Sequence, residues 1–341
     1  MRRMMTGAAV LGALAAFAEP AWAQNSGSKT IDDIKSRGQF VCGVSTGVAG
    51  FSLADSKGMI QGIDADTCRA VAAAILGDGN KTRFVPLTTT NRFTALQSGE
   101  IDMLARSTTW TLGREANLGL EFAGVNFYDG TGFMVKTALG VKSAKDLNGA
   151  TVCVQPGTST ELAVADYFRN NNMKFQPILI QDYAEIQNTF LNGRCDAYST
   201  DISGLASFRY QQGPKKEDYM LLPEVISKEP LGIMVRKGDD KFFDLVRWTF
   251  IALLQAEESG ITSKNIDEMM KSTDPTIRRV LGQEGDLGKA LGVDNAFAAN
   301  AIKAVGNFAE VWARDIDPLG IPRGINALWD KGGLMYPPPM R

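Results

Sequence analysis

The run Thr151-Val-Cys-Val-Gln-Pro-Gly-Thr-Ser-Thr160 packs a buried strand, a Gly-containing loop and the start of a helix into one short stretch. The first third of the chain follows the same plan. Phe40-Val-Cys-Gly-Val-Ser45 reads as a buried strand ending in a Gly-containing loop, and a helix is predicted over residues 64–76, stopped by Gly77. Working outward from this first strand, the pattern predicts a strand over 82–87, a short helix over 91–97 and a strand over 101–105. Outward from Thr151 it predicts a helix over 159–170, a strand over 177–181, a helix over 184–192 ended by Gly193, a strand over 195–200 and a helix over 202–210. Strands separated by helices of this length make βαβ units with a parallel sheet. The restart at Thr151 therefore predicts two α/β lobes. The chain crosses between them along residues 127–136 and returns along 231–236, so the crossings form a two-strand hinge. Tail helices are predicted over 241–258, 265–271 and 295–314, followed by a Gly- and Pro-rich close over 318–336.

The N-terminus bounds the compartment. Met1-Arg2-Arg3 is a basic head, residues 7–18 are almost all Ala, Leu, Val and Gly, and Ala21-Trp22-Ala23 ends the segment. These are the parts of a secretory signal peptide, with cleavage expected after Ala23 and a periplasmic mature chain from Gln24. The alternative is an uncleaved anchor, but the apolar run falls short of the roughly 20 residues that span a bilayer. Residues 24–28 are polar and read as a disordered leader. A chain of 341 residues exceeds one typical domain, which agrees with two lobes. Its 36 Lys and Arg face 38 Asp and Glu, and losing Arg2, Arg3 and Glu19 leaves 34 against 37. That balance argues against a nucleic-acid partner, which wants a basic face. The chain has no histidine, and so lacks the commonest general base and metal ligand. No metal, cofactor or catalytic group is expected.

The four cysteines are Cys42, Cys68, Cys153 and Cys195. An even count in an exported chain reads as disulfides, and the simplest pairing is Cys42 with Cys68 and Cys153 with Cys195, one in each lobe. Free buried thiols are the alternative, because spacing does not fix connectivity.

Ligands of open α/β sheets bind beyond the carboxyl ends of the strands. Four segments lie there: residues 45–51, ending at Phe51; Arg106-Ser-Thr-Thr109 with Arg114 shortly after; Pro156-Gly-Thr-Ser-Thr160; and Asp201. Together they suit a zwitterion. The planar fork of Arg114 matches a carboxylate, and Ser107 and Thr109 add hydroxyls. Gly157 allows close backbone approach, and Thr158, Ser159 and Thr160 present N–H groups at a helix start. Asp201 supplies the counter-charge for an ammonium. Each also has a plain reading: Thr158 to Glu161 fits a capping box, Asp201 fits an N-cap, and Arg114 fits a surface arginine. Convergence of the four segments is what favours a binding site.

Six segments resemble the polar amino-acid binding proteins of ABC importers: Phe40-Val-Cys-Gly-Val, Gly62-Ile-Asp-Ala-Asp, Arg92 to Asp102, Ser107-Thr-Thr through Arg114, Gln155 to Thr160 and Gly193-Arg-Cys-Asp-Ala. The cysteine pattern, Ser227-Lys-Glu-Pro-Leu-Gly, Leu319 to Trp329 and Gly332-Gly-Leu-Met-Tyr-Pro are similar to the broad-specificity general L-amino-acid members of that family. The resemblance covers nearly all of the mature chain. It implies the two-lobed periplasmic binding protein fold (type II), with residues 24–128 and 230–341 as lobe 1 with a C-terminal helical extension, and 129–229 as lobe 2. It also implies that Arg114, Ser107, Thr109 and Ser159 hold the ligand α-carboxylate and that Asp201 holds the α-ammonium. Arg92 would reach the ligand side chain, with Arg106 nearby. Ser45-Thr-Gly-Val48 stands where many members place an acid and an aromatic residue, which argues against a cation-selective pocket. Arg92 points instead to Glu, Gln, Asp and Asn among several ligands. The implied partners are a free L-amino acid and an ABC permease, with the binding protein a monomer and hinge closure as its mechanism. Two alternatives share the fold: a receptor module for a membrane sensor, and an exported enzyme resembling cyclohexadienyl dehydratases. The enzyme needs a general acid in the cleft, and the sequence places no second carboxylate clearly beside Arg114.

Overall fold

The computed structural model describes residues 26–341, so the signal segment and its cleavage after Ala23 lie outside the described residues. One sheet of nine strands runs through the molecule in the order β4-β1-β5-β11-β6-β9-β7-β8, with β10 on β6. The strands are β1 (Phe40–Val44), β2 (Leu53–Ala54), β3 (Ile60–Gln61), β4 (Thr82–Pro86), β5 (Met103–Thr109), β6 (Leu120–Lys136), β7 (Thr151–Val154), β8 (Gln176–Leu179), β9 (Ala197–Asp201), β10 (Tyr219–Leu221) and β11 (Ser227–Arg236). The short pair β2 and β3 forms a separate hairpin.

The sheet has two equivalent halves. In one lobe β1 pairs parallel with β4 and β5; in the other β7 pairs parallel with β8 and β9. Crossover connections require parallel strands buried on both faces, and β1 is buried at every residue. The long β6 pairs antiparallel with β11 from Leu120 to Thr131, then with β9 from Thr131 to Val135. Residues 127–136, expected as the crossing, are therefore the second half of one continuous strand.

The first lobe carries α1 (Lys29–Arg37), α2 (Ile63–Leu76), α3 (Arg92–Ser98) and α4 (Leu112–Asn117); the second carries α5 (Ser159–Asn170), α6 (Tyr183–Leu191) and α7 (Ile202–Gln211). The chain returns through α8 (Asp240–Glu258), then α9 (Ile266–Met269), α10 (Pro275–Val280), α11 (Leu287–Ala290), α12 (Phe297–Val305) and α13 (Phe308–Asp315). These tail helices join the largest core cluster with α2 and β1, so the extension is built onto the first lobe. Arg323 grips Glu257 with two hydrogen bonds (2.9 and 2.7 Å), and Asn326 accepts from and donates to the backbone of Tyr128 (2.7 and 2.9 Å).

Three local expectations are corrected. Residues 295–314 are not one helix: Gly306 takes φ +87°, and Asn307 and Glu310 form a reciprocal capping box that starts α13. Residues 26–28 are not a disordered leader. Ser28 caps α1 and donates to Asp239 (2.8 Å), and Ser26 and Ser28 are both buried. Third, the loop expected after residue 105 is strand. β5 pairs with β11 at 104–105 and again at 108–109, with a bulge between them.

Both disulfides form within their lobes, Cys42–Cys68 (Cα–Cα 6.1 Å) and Cys153–Cys195 (Cα–Cα 5.7 Å). Each ties a central strand to the chain beside it. Closing loops of this size is worth about 3–4 kcal/mol each in the chain-entropy model.

Candidate functional site

The bulge in β5 builds one wall of the cleft. An extra residue bends a strand and re-aims its side chains. Here Ser107 takes φ +41°, an unusual conformation for a residue with a Cβ. Asp64, at the start of α2, holds it there: its carboxylate accepts from the N–H (2.9 Å) and hydroxyl (3.2 Å) of Ser107, and from Asn126 (2.8 Å). Burial raises the pKa of Asp64, and these donors oppose the shift. The bulge turns Arg106 into the cleft, where its Nε donates to the Leu87 carbonyl (2.9 Å). Arg114, on α4, donates to the Thr109 carbonyl (2.7 Å) and lies over the Phe93 ring.

Arg92 opens α3 and is 2 % exposed, with its guanidinium 4.7 Å from the Phe93 ring centre. Its Nε is buried with no hydrogen-bond partner among the described residues. An unpaired buried donor costs about 1–3 kcal/mol, so it marks a position that a ligand oxygen would satisfy. Desolvation lowers the pKa of Arg92, Arg106 and Arg114, taking Arg106 to about 10. Arg106 and Arg114 also depress Arg92 by charge repulsion. The wall is thus a cluster of guanidinium groups that demands an anion.

The second lobe supplies the facing wall. Thr158 caps α5 by accepting from the Glu161 N–H (3.1 Å), which leaves the first-turn N–H groups of Ser159 and Thr160 at the cavity. Asp201 ends β9 at the N-cap position of α7, yet its side chain makes no capping bond. Asp129, on β6, accepts from the Ser203 N–H (3.2 Å) instead. The Asp201 carboxyl is half-buried at the cavity and has no hydrogen-bond partner among the described residues, while Arg114 and Arg92 attract it. Desolvation first, then Asp129 and Glu229, push its pKa well above the usual carboxylate range. Asp129 itself is raised to about 6, chiefly by burial.

One cavity brings together Arg92, Arg106, Ser107, Thr109, Arg114, Thr158, Ser159, Thr160 and Asp201. The lobes are closed over it. Thr89 donates to the Pro156 carbonyl (3.0 Å), Gln181 donates to Thr88 (2.8 Å), and the Thr109 and Ser159 hydroxyls are 2.9 Å apart.

Two residues expected at the cleft are elsewhere. Phe51 is 1 % exposed and packs edge-on to Phe127, which stacks on Trp312 of the extension. The turn at Gly50 (φ +79°) sends Phe51 into the core, and Val48 of the same loop lines the cavity. Gly157 is exposed at φ +71°, and its N–H donates to the Glu161 carboxylate (2.8 Å), so it shapes the turn.

The cavity also includes Thr89, Tyr183 and Ser203, to which the sequence assigns no site role, and Gln155, which the sequence marks only as part of the run at Thr151. The larger omission is Glu229, whose charge acts on both Arg114 and Asp201. It lies in the quoted Ser227-Lys-Glu-Pro-Leu-Gly run, but only strand pairing brings it to the cleft, so a second carboxylate does stand near Arg114.

The geometry has close relatives. The chain is 52 % identical to the glutamate/glutamine/aspartate/asparagine-binding protein BztA of Rhodobacter capsulatus, over 98 % of each chain. It is 48 % identical to the general L-amino acid-binding periplasmic protein AapJ of Rhizobium johnstonii over the full length of both. A periplasmic binding protein of an ABC transporter from Brucella ovis, solved with glutathione bound, superposes with a TM-score of 0.89 at 50 % identity, covering 92 % of this chain and 99 % of that one. Residues 40–271 match the model of a family that spans both lobes and the hinge, and the chain accordingly belongs to the bacterial extracellular solute-binding proteins, family 3.

Proposed function

We propose that the cleft binds free L-amino acids, favouring Glu, Gln, Asp and Asn, and that the closed, liganded form is what an ABC importer permease recognises. The reading is carried by one observation: three guanidinium groups face an unpaired aspartate inside one enclosed cavity. Arg114 takes the α-carboxylate together with the first-turn N–H groups of α5. Asp201 takes the α-ammonium. Arg92, with Arg106 behind it, takes a side-chain carboxylate or amide oxygen. A ligand such as glutamate brings the negative charge that this cluster lacks. A cationic side chain would add to it, which costs several kcal/mol in a buried site. The lobes divide near residues 128 and 229, where β6 and β11 pass from one to the other. The protein works in the periplasm as a monomer, with its leader removed after Ala23.

The relatives support this ligand class, and the glutathione-bound relative adds a γ-glutamyl compound to the set worth testing. Calorimetric titration with Glu, Gln, Asp, Asn, Lys and glutathione tests the proposal. Acidic and amide ligands should bind, and Lys should not. Arg114→Ala should cost ~3–5 kcal/mol of binding by stranding a buried carboxylate. Near-wild-type affinity in that variant rejects the assignment.

A further inference from the structure

We propose that Glu229 is the latch of lobe closure, a hinge-strand carboxylate that gathers hydroxyl protons from both walls of the cleft. The inference rests on the reading of the cavity as a ligand-closing cleft and adds the device that holds it shut. Glu229 is 2 % exposed. Its Oε1 accepts from Ser227 (2.5 Å) and Thr131 (3.1 Å), both on the hinge strands. Its Oε2 accepts from Thr109 (2.5 Å) and Ser159 (2.8 Å). Thr109 ends β5 in the first lobe, and Ser159 begins α5 in the second. The hinge donors already serve one oxygen; among the described residues the other is served only from the two opposed walls. Whichever lobe Glu229 follows on opening, at least one of these charge-assisted bonds must break.

Proton counting extends the argument. A hydroxyl has one proton to donate. With Thr109 and Ser159 both donating to Glu229, no proton is left for their own 2.9 Å contact, so each presents only lone pairs to its neighbour and to the cavity. In the closed form they accept from a ligand ammonium and do not donate to its carboxylate. Carboxylate recognition then falls to Arg114 and backbone N–H groups. Glu229 is thus a positioning residue that sets the polarity of the clamp as well as its closure.

The test measures lobe separation directly. Spin labels at Lys57→Cys and Lys142→Cys, exposed sites in opposite lobes, report the distance distribution in the oxidised protein. Glu229→Ala should lower the ligand-free ratio of closed to open forms about tenfold, the worth of one charge-assisted bond. An unchanged distribution overturns the latch. If that variant misfolds, Thr109→Val with Ser159→Ala removes the same donors and should give the same shift. If the wild type is fully open without ligand, the readout becomes L-glutamate dissociation by stopped flow. The latch predicts about tenfold faster release, and an unchanged rate overturns it. Absence of any amino-acid binding would sink the proposed function, while the ligand-free distances still judge the latch.

Discussion

Two of the second-lobe helices that begin at the cleft, α5 and α7, begin differently. α5 is capped by its own N-cap residue, Thr158, whose hydroxyl donates to the Gln155 carbonyl and accepts from the Glu161 N–H. α7 has Asp201 at the same position, but Asp129 from the neighbouring strand performs the capping. A side chain that caps its own helix is spent on structure. Relieved of that duty, Asp201 is held half-buried at a helix start, its carboxyl left for the ammonium contact proposed above. The function of a capping residue is therefore decided by whether a second group competes for the same N–H.

Replacing Asp201 by Asn separates the two helices most strongly. It removes the only carboxylate that lines the cavity among the described residues and should cost ~3–5 kcal/mol of amino-acid binding. The melting temperature without ligand should hold or rise, because the carboxyl has a raised pKa and is costly to bury ionised. Calorimetry and thermal unfolding together check this; a large loss of ligand-free stability would show that Asp201 is structural.

Changing Asp129 probes the relief itself. Asp129→Ala frees the Ser203 N–H, draws Asp201 into capping and should weaken binding about tenfold, ~1.4 kcal/mol. Asp129→Asn keeps an acceptor for that N–H while removing a neighbouring negative charge, so binding should stay within a few-fold. Equal losses in both variants would break the comparison.

The raised Asp201 gives a pH signature. A ligand ammonium requires the ionised carboxylate, so binding should release protons, and affinity should climb as pH rises from the ordinary carboxylate range through the elevated value. For the ligand-free fold the sign is opposite. A carboxyl whose folded pKa is raised stabilises fully below its unfolded value, and that stability is lost as pH rises through the folded value. Titrations in buffers of different ionisation heat should show proton release in the wild type and much less in Asp201→Asn.

The smallest effect belongs to α5. Thr158→Ala should cost ~0.5–2 kcal/mol of stability as an ordinary cap loss, seen by urea unfolding. Ligand affinity should change by no more than a few-fold, because Thr158 has no charge to offer.

The alternation of buried strands and amphipathic helices, both Gly-ended, was legible because its signals are local. The helix beginning at Ser159 and ending at Asn170 was predicted to the residue, since a Thr cap, a Glu in the first turn and a Gly-containing loop all fall within a few positions. Arg114, Asp201 and Ser107 were legible as candidates because strand ends in this topology point to one place, and Arg92 only through the family resemblance. Phe51 was misplaced because a residue two turns of loop away from a strand end can face the cleft or the core, and a glycine φ angle decided which.

Amino-acid order by itself determined two α/β lobes, an even set of cysteines and a cleft rich in arginine with one acid, because each follows from short-range spacing or from composition. Only the tertiary structure decided that Asp129 caps for Asp201, that Asp64 holds the bulge at Ser107, and that Glu229 joins Thr109 to Ser159. Each of these bonds links residues more than 40 positions apart. Strand pairing and lobe closure bring them within reach, and no local pattern records a contact that forms only when the two halves meet.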